Sequence, residues 1–335
     1  MDKICVIGAG SWGTAVACTL SKNGHETVLF MRRKEQYDDI KRTGKNLRYF
    51  PELELPRTLQ FSNDLKTALE GVNIVILAVS SQGNLNVIKE LREWLPSDVI
   101  VVNVSKGLDR EQGLSCSQMM AEYLPNNPFA VLTGPSHAEE VMIQMPTALV
   151  CASKNLEVAK HIQELVSNDT MRVYVIEDVI GAELGGALKN IIAFGIGIVD
   201  GLGYGDNTKA AIMTRGIAEI TRFGVSMGAK VETFSGLAGI GDLIVTCTSM
   251  HSRNRRAGIL VGKGMSLEQV QSEINMVVEG IVATKVIGEM SKKMGIDMPI
   301  TQAIYHVLFE NGSVQDAVVQ LMGREKKHEV EAYHL

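Results

Sequence analysis

From the start of the chain to about Glu177, short β-branched apolar runs alternate with longer amphipathic segments, the pattern of βαβ units and a parallel sheet. It predicts strands over Ile4 to Ile7, Thr27 to Met31, Asn73 to Val79, Val99 to Val104, Ala130 to Leu132, Ala148 to Ala152 and Arg172 to Ile176. Several are continuous apolar runs, as strands covered on both faces require. After Glu177 helical periodicity takes over, with a continuous helix predicted from near Asp178. Ser266 with Gln269 spells a capping box and Ser313 with Asp316 an acidic variant; Gly295 and Gly323 stand where helices should stop. No repeat, low-complexity stretch or Pro/Gly-rich linker intervenes. The chain is too long for one hydrophobic core, so two domains are expected: 1–178, α/β, and 179–335, all-α.

Composition narrows the class. With 45% apolar and 21% charged residues the chain is a globular protein, and a net charge of -5 argues against a nucleic-acid partner, which needs a basic surface. Met1 and Asp2 run straight into the first apolar run, leaving no room for a secretory signal. The longest nearly apolar stretch, Ile191 to Val199, falls short of the about 20 residues a bilayer requires, so no integral membrane association is expected. Cys5, Cys18, Cys116, Cys151 and Cys247 are scattered without a CxxC, which suits reduced thiols in a cytoplasmic protein. Met276, Met290, Met294 and Met298 suit core packing, with a homodimer surface as the alternative.

Gly8-Ala9-Gly10-Ser11-Trp12-Gly13 follows the first predicted strand and opens a helical segment, Thr14 to Lys22. In that context Gly8 permits the tight turn, Gly10 lets the backbone approach a pyrophosphate, and Gly13 allows close helix–strand packing. The N-terminal domain is therefore expected to be a Rossmann-type doubly wound sheet that binds NADP(H) and/or NAD(H). Where an NAD-specific fold offers an acid to the ribose, this chain has Arg32-Arg33, which could pair with a 2′-phosphate or form a solvated basic patch.

Ser105-Lys106-Gly107 and Thr133-Gly134-Pro135-Ser136 each follow a predicted strand at the carboxyl edge, as ligand-binding turns or ordinary ones. In Glu183 to Asn190, Gly185 and Gly186 sit inside a helix, where each costs roughly 1 kcal/mol relative to alanine. Gly185 lies four residues before Lys189, clearing space for a ligand or an approaching backbone. Lys189 is then either a desolvated acid/base group or a surface lysine beside packing glycines. Gly236 to Asp242 is predicted to be a turn presenting Asp242. Ser252-Arg253-Asn254-Arg255-Arg256 combines a hydroxyl, an amide and three guanidiniums, which suits a phosphate monoester or a solvated face. The histidines lack metal-ligand spacing and no GxSxG elbow occurs, so a metal-free, cofactor-borne reaction is expected.

Over nearly its whole length the chain resembles the bacterial NAD(P)-dependent glycerol-3-phosphate dehydrogenases. The resemblance rests on Gly8 to Ala15, Ser105-Lys106-Gly107, Gly134-Pro135-Ser136, Ala187-Leu188-Lys189-Asn190, Gly239 to Leu243, Ser252-Arg253-Asn254 and Val278-Glu279-Gly280, in family order. It implies interconversion of sn-glycerol 3-phosphate and dihydroxyacetone phosphate for glycerophospholipid synthesis, with Lys189 as proton acceptor. It further implies that Lys106, Gly134, Ser136, Asp242, Ser252, Arg253 and Asn254 meet the substrate. The dinucleotide would be met by Ser11, Trp12, Arg32, Arg33, Tyr49, Ala138, Val277 and Glu279, with Lys106 and Arg253 touching both ligands. His137 stands where an aromatic residue is expected, a matter of loop packing. Two alternatives remain at this stage: a related hydroxy-acid or sugar-acid dehydrogenase, and a non-enzymatic dinucleotide-binding redox sensor. The second lacks a separate basic recognition module.

Overall fold

The computed structural model describes residues 2–274, 277–326 and 328–329. It divides into two compact units, Met1–Ser105 with Leu114–Val179, and Lys106–Gly113 with Ile180–Leu335. Lys106 and Lys189, which a single cut at 178/179 separates, therefore belong to one unit.

The first unit is built on an eight-stranded sheet: β1 (Lys3–Ile7), β2 (Glu26–Phe30), β3 (Gln60–Ser62), β4 (Ile74–Leu77), β5 (Ile100–Asn103), β6 (Phe129–Thr133), β7 (Thr147–Ala152) and β8 (Met171–Ile176). Its spatial order is β3-β2-β1-β4-β5-β6-β7-β8. Ile4 pairs with Thr27 on one side and Ile74 on the other, and the register continues residue by residue. The continuous apolar runs serve two cores. Ile4, Val6, Ile74 and Ile76 enter one cluster, while Cys5, Ile7, Val75 and Leu77 enter a second on the opposite face. Two features depart from expectation. β7 runs antiparallel to β6, so the sheet is not parallel throughout, and the three-residue β3 adds an edge strand too short to leave an apolar run.

The second unit is helical. The helix Val179–Gly201 has 23 residues, longer than its most apolar stretch, and is long and apolar enough to cross a membrane by length and composition. The expectation that no segment was long enough is thus corrected. The helix is a core helix instead, with 94% of its most apolar window buried inside the protein.

Gly197 and Gly201 on it face Gly258 and Gly262 on the helix Arg253–Gly262. A Cβ at Gly197 would lie 2.1 Å from the Arg255 carbonyl oxygen, and one at Gly258 2.1 Å from that of Phe194, so the two helices touch backbone to backbone. The capping signals hold. Ser266 and Gln269 cap reciprocally, Ser313 Oγ accepts from the Asp316 N–H, and Gly295 ends its helix in the left-handed region at φ 68°. Gly323 also ends a helix, but in a right-handed conformation. The segment Gly236 to Asp242 is not a loop turn: Leu237–Gly241 forms a wide helical turn that runs directly into the helix Asp242–Thr248. Met298 is buried, Met290 packs on the helical core and Met294 is exposed, whereas Met276 lies outside the described residues.

Candidate active site

In the sheet unit, the turn after β1 is shaped by its glycines. Gly8 has φ +118°, and a Cβ there would lie 2.6 Å from the Ala78 carbonyl oxygen. One at Gly13 would lie 1.9 Å from the Gly8 carbonyl oxygen. Only at Gly10 would a side chain meet nothing within 4 Å, so that is where the backbone faces open space. Gly10 also stands at the N-cap of the helix Ser11–Lys22, and the first N–H groups of a helix have no intrahelical partner and lie at the positive end of its dipole. The indole Nε1 of Trp12 is buried without a hydrogen-bond partner among the described residues. An open glycine at a helix N-terminus, with an orphaned donor beside it, fits the pyrophosphate and ribose of a dinucleotide.

The loop is held from behind. Gln36 Nε2 donates to the Ala9 carbonyl at 2.7 Å, and Asn46 Nδ2 donates to Ala9 O at 3.1 Å and Thr14 Oγ1 at 2.8 Å. Arg33 donates to Gln36 Oε1 at 2.9 Å, while Arg32 pairs with Glu90 at 3.2 Å. Tyr49 is half-buried against the core, with the Arg48 guanidinium 5.7 Å from its ring centre. Gly134, at φ +128°, turns the chain after β6 with the Ser136 hydroxyl donating to its carbonyl at 3.0 Å. His137 stands at the N-cap position of the helix Ala138–Met142, and Ala138 is buried at its first position.

In the helical unit, Lys106, Lys189 and Asp242 converge. The Asp242 carboxylate, 1% exposed, accepts from Lys106 Nζ at 2.7 Å on one oxygen and from Lys189 Nζ on the other. Lys189 Nζ also donates to Thr246 Oγ1 at 2.8 Å, and that hydroxyl donates to the Asp242 carbonyl at 2.6 Å. Thr246 was not foreseen; the signal available was its place four residues after Asp242, one turn along the same helix. Burial lowers the Lys189 pKa from 10.5 to about 7. The Asp242 carboxylate resists that shift and the Lys106 charge adds to it. An amine so placed exchanges a proton near neutral pH.

Gly185 explains how Asp242 arrives there. A Cβ at Gly185 would lie 2.3 Å from the Ala238 carbonyl oxygen, so the glycine admits the backbone of the wide turn that carries Asp242. Of the two uses for that cleared space, an approaching backbone is the one realised.

The segment 252–256 does not present its groups as one cluster. Ser252 Oγ accepts from the Arg255 N–H at 3.2 Å and caps the helix Arg253–Gly262. Arg255 is tied to Asp200 through Nε at 2.8 Å and Nη2 at 2.6 Å, which removes it from any shared anion site. Asn254 is buried, donating to Asn190 Oδ1 and accepting from the Gly280 N–H, both at 2.8 Å. Arg253 is exposed, its Nη1 3.4 Å from the Val277 carbonyl. Val277 is partly exposed, and Glu279 begins the helix Glu279–Met294. Asn190 is a second contributor that was not singled out, although it adjoins Lys189 in sequence.

Comparison with known proteins gives a consistent result along the chain. Residues 3–159 match the family model described as the NAD-dependent glycerol-3-phosphate dehydrogenase N-terminus, and residues 178–319 match the corresponding C-terminus. The chain is 51% identical over 328 residues to a glycerol-3-phosphate dehydrogenase [NAD(P)+] of Thermoanaerobacter sp. (strain X514), covering 98% of this chain and 99% of that protein. It is 50% identical over 334 residues to the like-named protein of Bacillus pumilus (strain SAFR-032), covering 99% and 97%. Among solved structures, glycerol-3-phosphate dehydrogenase from Coxiella burnetii superimposes with a TM-score of 0.93 at 37% identity, covering 96% of this chain and 99% of that one.

Proposed function

Because the chain belongs to the NAD-dependent glycerol-3-phosphate dehydrogenase family, we propose that it interconverts sn-glycerol 3-phosphate and dihydroxyacetone phosphate using NADP(H) or NAD(H), with Lys189 as the proton carrier. The observation that carries this reading is the Lys189 amine: buried, held between Asp242 and Thr246, and with its pKa brought to about 7.

Gly8, Gly10, Ser11, Trp12 and Gly13 would hold the pyrophosphate side of the dinucleotide, and Arg32, Arg33 and Tyr49 would take its adenosine end. Ala138, Val277 and Glu279 would complete its contacts. A bound nicotinamide would supply the hydride acceptor or donor for the substrate's C2. Neutral Lys189 accepts the C2 hydroxyl proton during oxidation, and its ammonium returns a proton to the oxygen during reduction. Positioned proton transfer of this kind is worth about 10² to 10⁴ in rate. Lys106 meets the same oxygen, and its positive charge stabilises the alkoxide that develops there. Asp242 fixes both amines in place through its two carboxylate oxygens. Arg253 binds the substrate phosphate with the backbone around Ser252 and Asn254, while Gly134 and Ser136 contact the glycerol part. Anchoring the phosphate fixes C2 for reaction.

The product glycerol 3-phosphate supplies glycerophospholipid synthesis in the cytoplasm. All five cysteines are buried free thiols, which supports a reducing compartment. Oxidation of NADPH in the presence of dihydroxyacetone phosphate, followed at the nicotinamide absorbance band, tests the reading. Turnover should depend on the phosphate, and equal turnover of unphosphorylated dihydroxyacetone would remove the phosphate-binding assignment.

A further inference from the structure

Arg32 and Arg33 adjoin in sequence at the end of β2, yet the structure gives them different surroundings. Arg32 is paired with Glu90 at 3.2 Å. Arg33 has no carboxylate partner among the described residues and turns toward Gln36 at 2.9 Å. It lines a cleft of about 140 Å³ that Arg48 also lines. Arg48 likewise has no carboxylate partner among the described residues, its guanidinium resting 5.7 Å from the Tyr49 ring centre.

Two acids also line the cleft. The Asp39 carboxylate is taken by Arg42 at 2.7 Å; Glu35 is exposed and solvated. Ile40 and Leu47 supply apolar wall, and Gln36, which accepts from Arg33 and donates to Asn46 Oδ1 at 3.2 Å, lines it together with Asn46. Those same two amides hold the Ala9 carbonyl of the glycine turn, at 2.7 and 3.1 Å. The cleft is therefore joined directly to the turn that faces the pyrophosphate. A dinucleotide whose phosphates lie at Gly10 extends its adenosine ribose toward the end of β2.

We propose that this cleft takes the 2′-phosphate of NADP(H), held between Arg33 and Arg48, and that Arg48 rather than Arg32 is the second determinant of preference for the phosphorylated dinucleotide. The inference rests on the dinucleotide reading of the glycine turn and adds a residue from outside the motif. Two guanidiniums lining one cleft can each donate charge-assisted hydrogen bonds to a phosphate held there. Arg32 would first have to leave Glu90, and it stabilises a phosphate less by that exchange.

Calorimetric titration of the full chain with 2′,5′-ADP and with 5′-AMP tests this without catalysis. Arg48→Gln should weaken 2′,5′-ADP by about tenfold to a hundredfold, the worth of a lost hydrogen bond between charged groups, and leave 5′-AMP within about twofold. Arg33→Gln should behave alike, and Arg32→Gln should move the ratio little. Arg48 is exposed, so its replacement does not threaten folding. An unchanged ratio of the two affinities in Arg48→Gln, or a loss confined to Arg32→Gln, overturns the proposal while leaving the dinucleotide site standing. If neither nucleotide bound the unmodified protein, the dinucleotide reading itself would fail as well.

Discussion

Replacing Asp242 by asparagine tests what sets the proton affinity of Lys189. Three influences meet at that amine: burial and the Lys106 charge favour the neutral form, and the Asp242 carboxylate favours the ammonium. Asp242→Asn keeps the shape and removes only the favourable charge. A hydrogen bond between charged groups is worth about 1.5–3 kcal/mol, and about 1.4 kcal/mol corresponds to one pKa unit, so the Lys189 pKa should fall by about 1–2 units.

The assay is kcat/KM for glycerol 3-phosphate oxidation against pH, which reports the free enzyme. In the unmodified protein the rate should climb as pH rises through about 7, where Lys189 becomes neutral and able to accept the hydroxyl proton. In the variant the same limb should move down, to about pH 5–6. The maximum rate should fall too, since asparagine holds the two amines less firmly, but the midpoint is the diagnostic quantity. Removing one partner of a buried pair can cost about 3–5 kcal/mol of stability; discharge of Lys189 softens that cost, and a melting curve checks that the variant is folded. A limb that stays near pH 7 or moves upward would mean that Asp242 does not favour the ammonium form of Lys189.

Two further perturbations probe the helical unit. Gly258→Ala places a methyl where the Phe194 carbonyl oxygen would be 2.1 Å away; overpacking of this kind costs about 1–3 kcal/mol, and the melting temperature should drop by several degrees. An unchanged melting temperature would mean that the helices separate without cost. Glu219 is buried and accepts from the N–H groups of Ile300 at 2.6 Å and Thr301 at 3.1 Å, capping the helix Pro299–Phe309, and burial raises its pKa from 4.5 to about 7. A carboxyl whose folded pKa is raised contributes stability that is complete below its unfolded pKa and lost as pH rises through the folded one. The protein should therefore lose stability between about pH 4.5 and 7, by about 3 kcal/mol. Glu219→Gln should flatten that part of the melting-temperature profile; the same slope in both proteins would assign the loss to other groups.

Much of this architecture was legible in the residue pattern, and the exceptions have physical causes. β-branched runs revealed seven strands, several of them continuously apolar because both faces of the sheet are covered there, whereas Met171–Ile176 alternates buried and exposed positions. Gln60–Ser62 escaped because an edge strand of three residues needs no such run. The antiparallel turn at β7 escaped because a run such as Thr147–Ala152 looks the same in either direction. The glycine turn could be read in detail, since its three glycines answer to steric needs that recur wherever strand, turn and helix meet a phosphate.

Around Lys189 the pattern exposed the parts and not their joins. Gly185 signalled a close approach, yet only the folded chain shows that the Ala238 backbone makes it. Arg255 looked equivalent to Arg253 until Asp200, 55 residues away, was found to hold it. Pairings at that separation leave no periodic trace. The paired glycines at 197 and 201, and at 258 and 262, did carry a local signal, small residues one turn apart on each helix, and were overlooked beside the more conspicuous motifs.

Passage of the reaction's proton through Lys189 is probed by Lys189→Ala measured two ways on one preparation. The kcat for dihydroxyacetone phosphate reduction should fall by about 10² to 10⁴, while NADPH affinity from nicotinamide fluorescence stays within about twofold. A variant that binds NADPH normally and turns over at close to the original rate would mean that another group carries the proton.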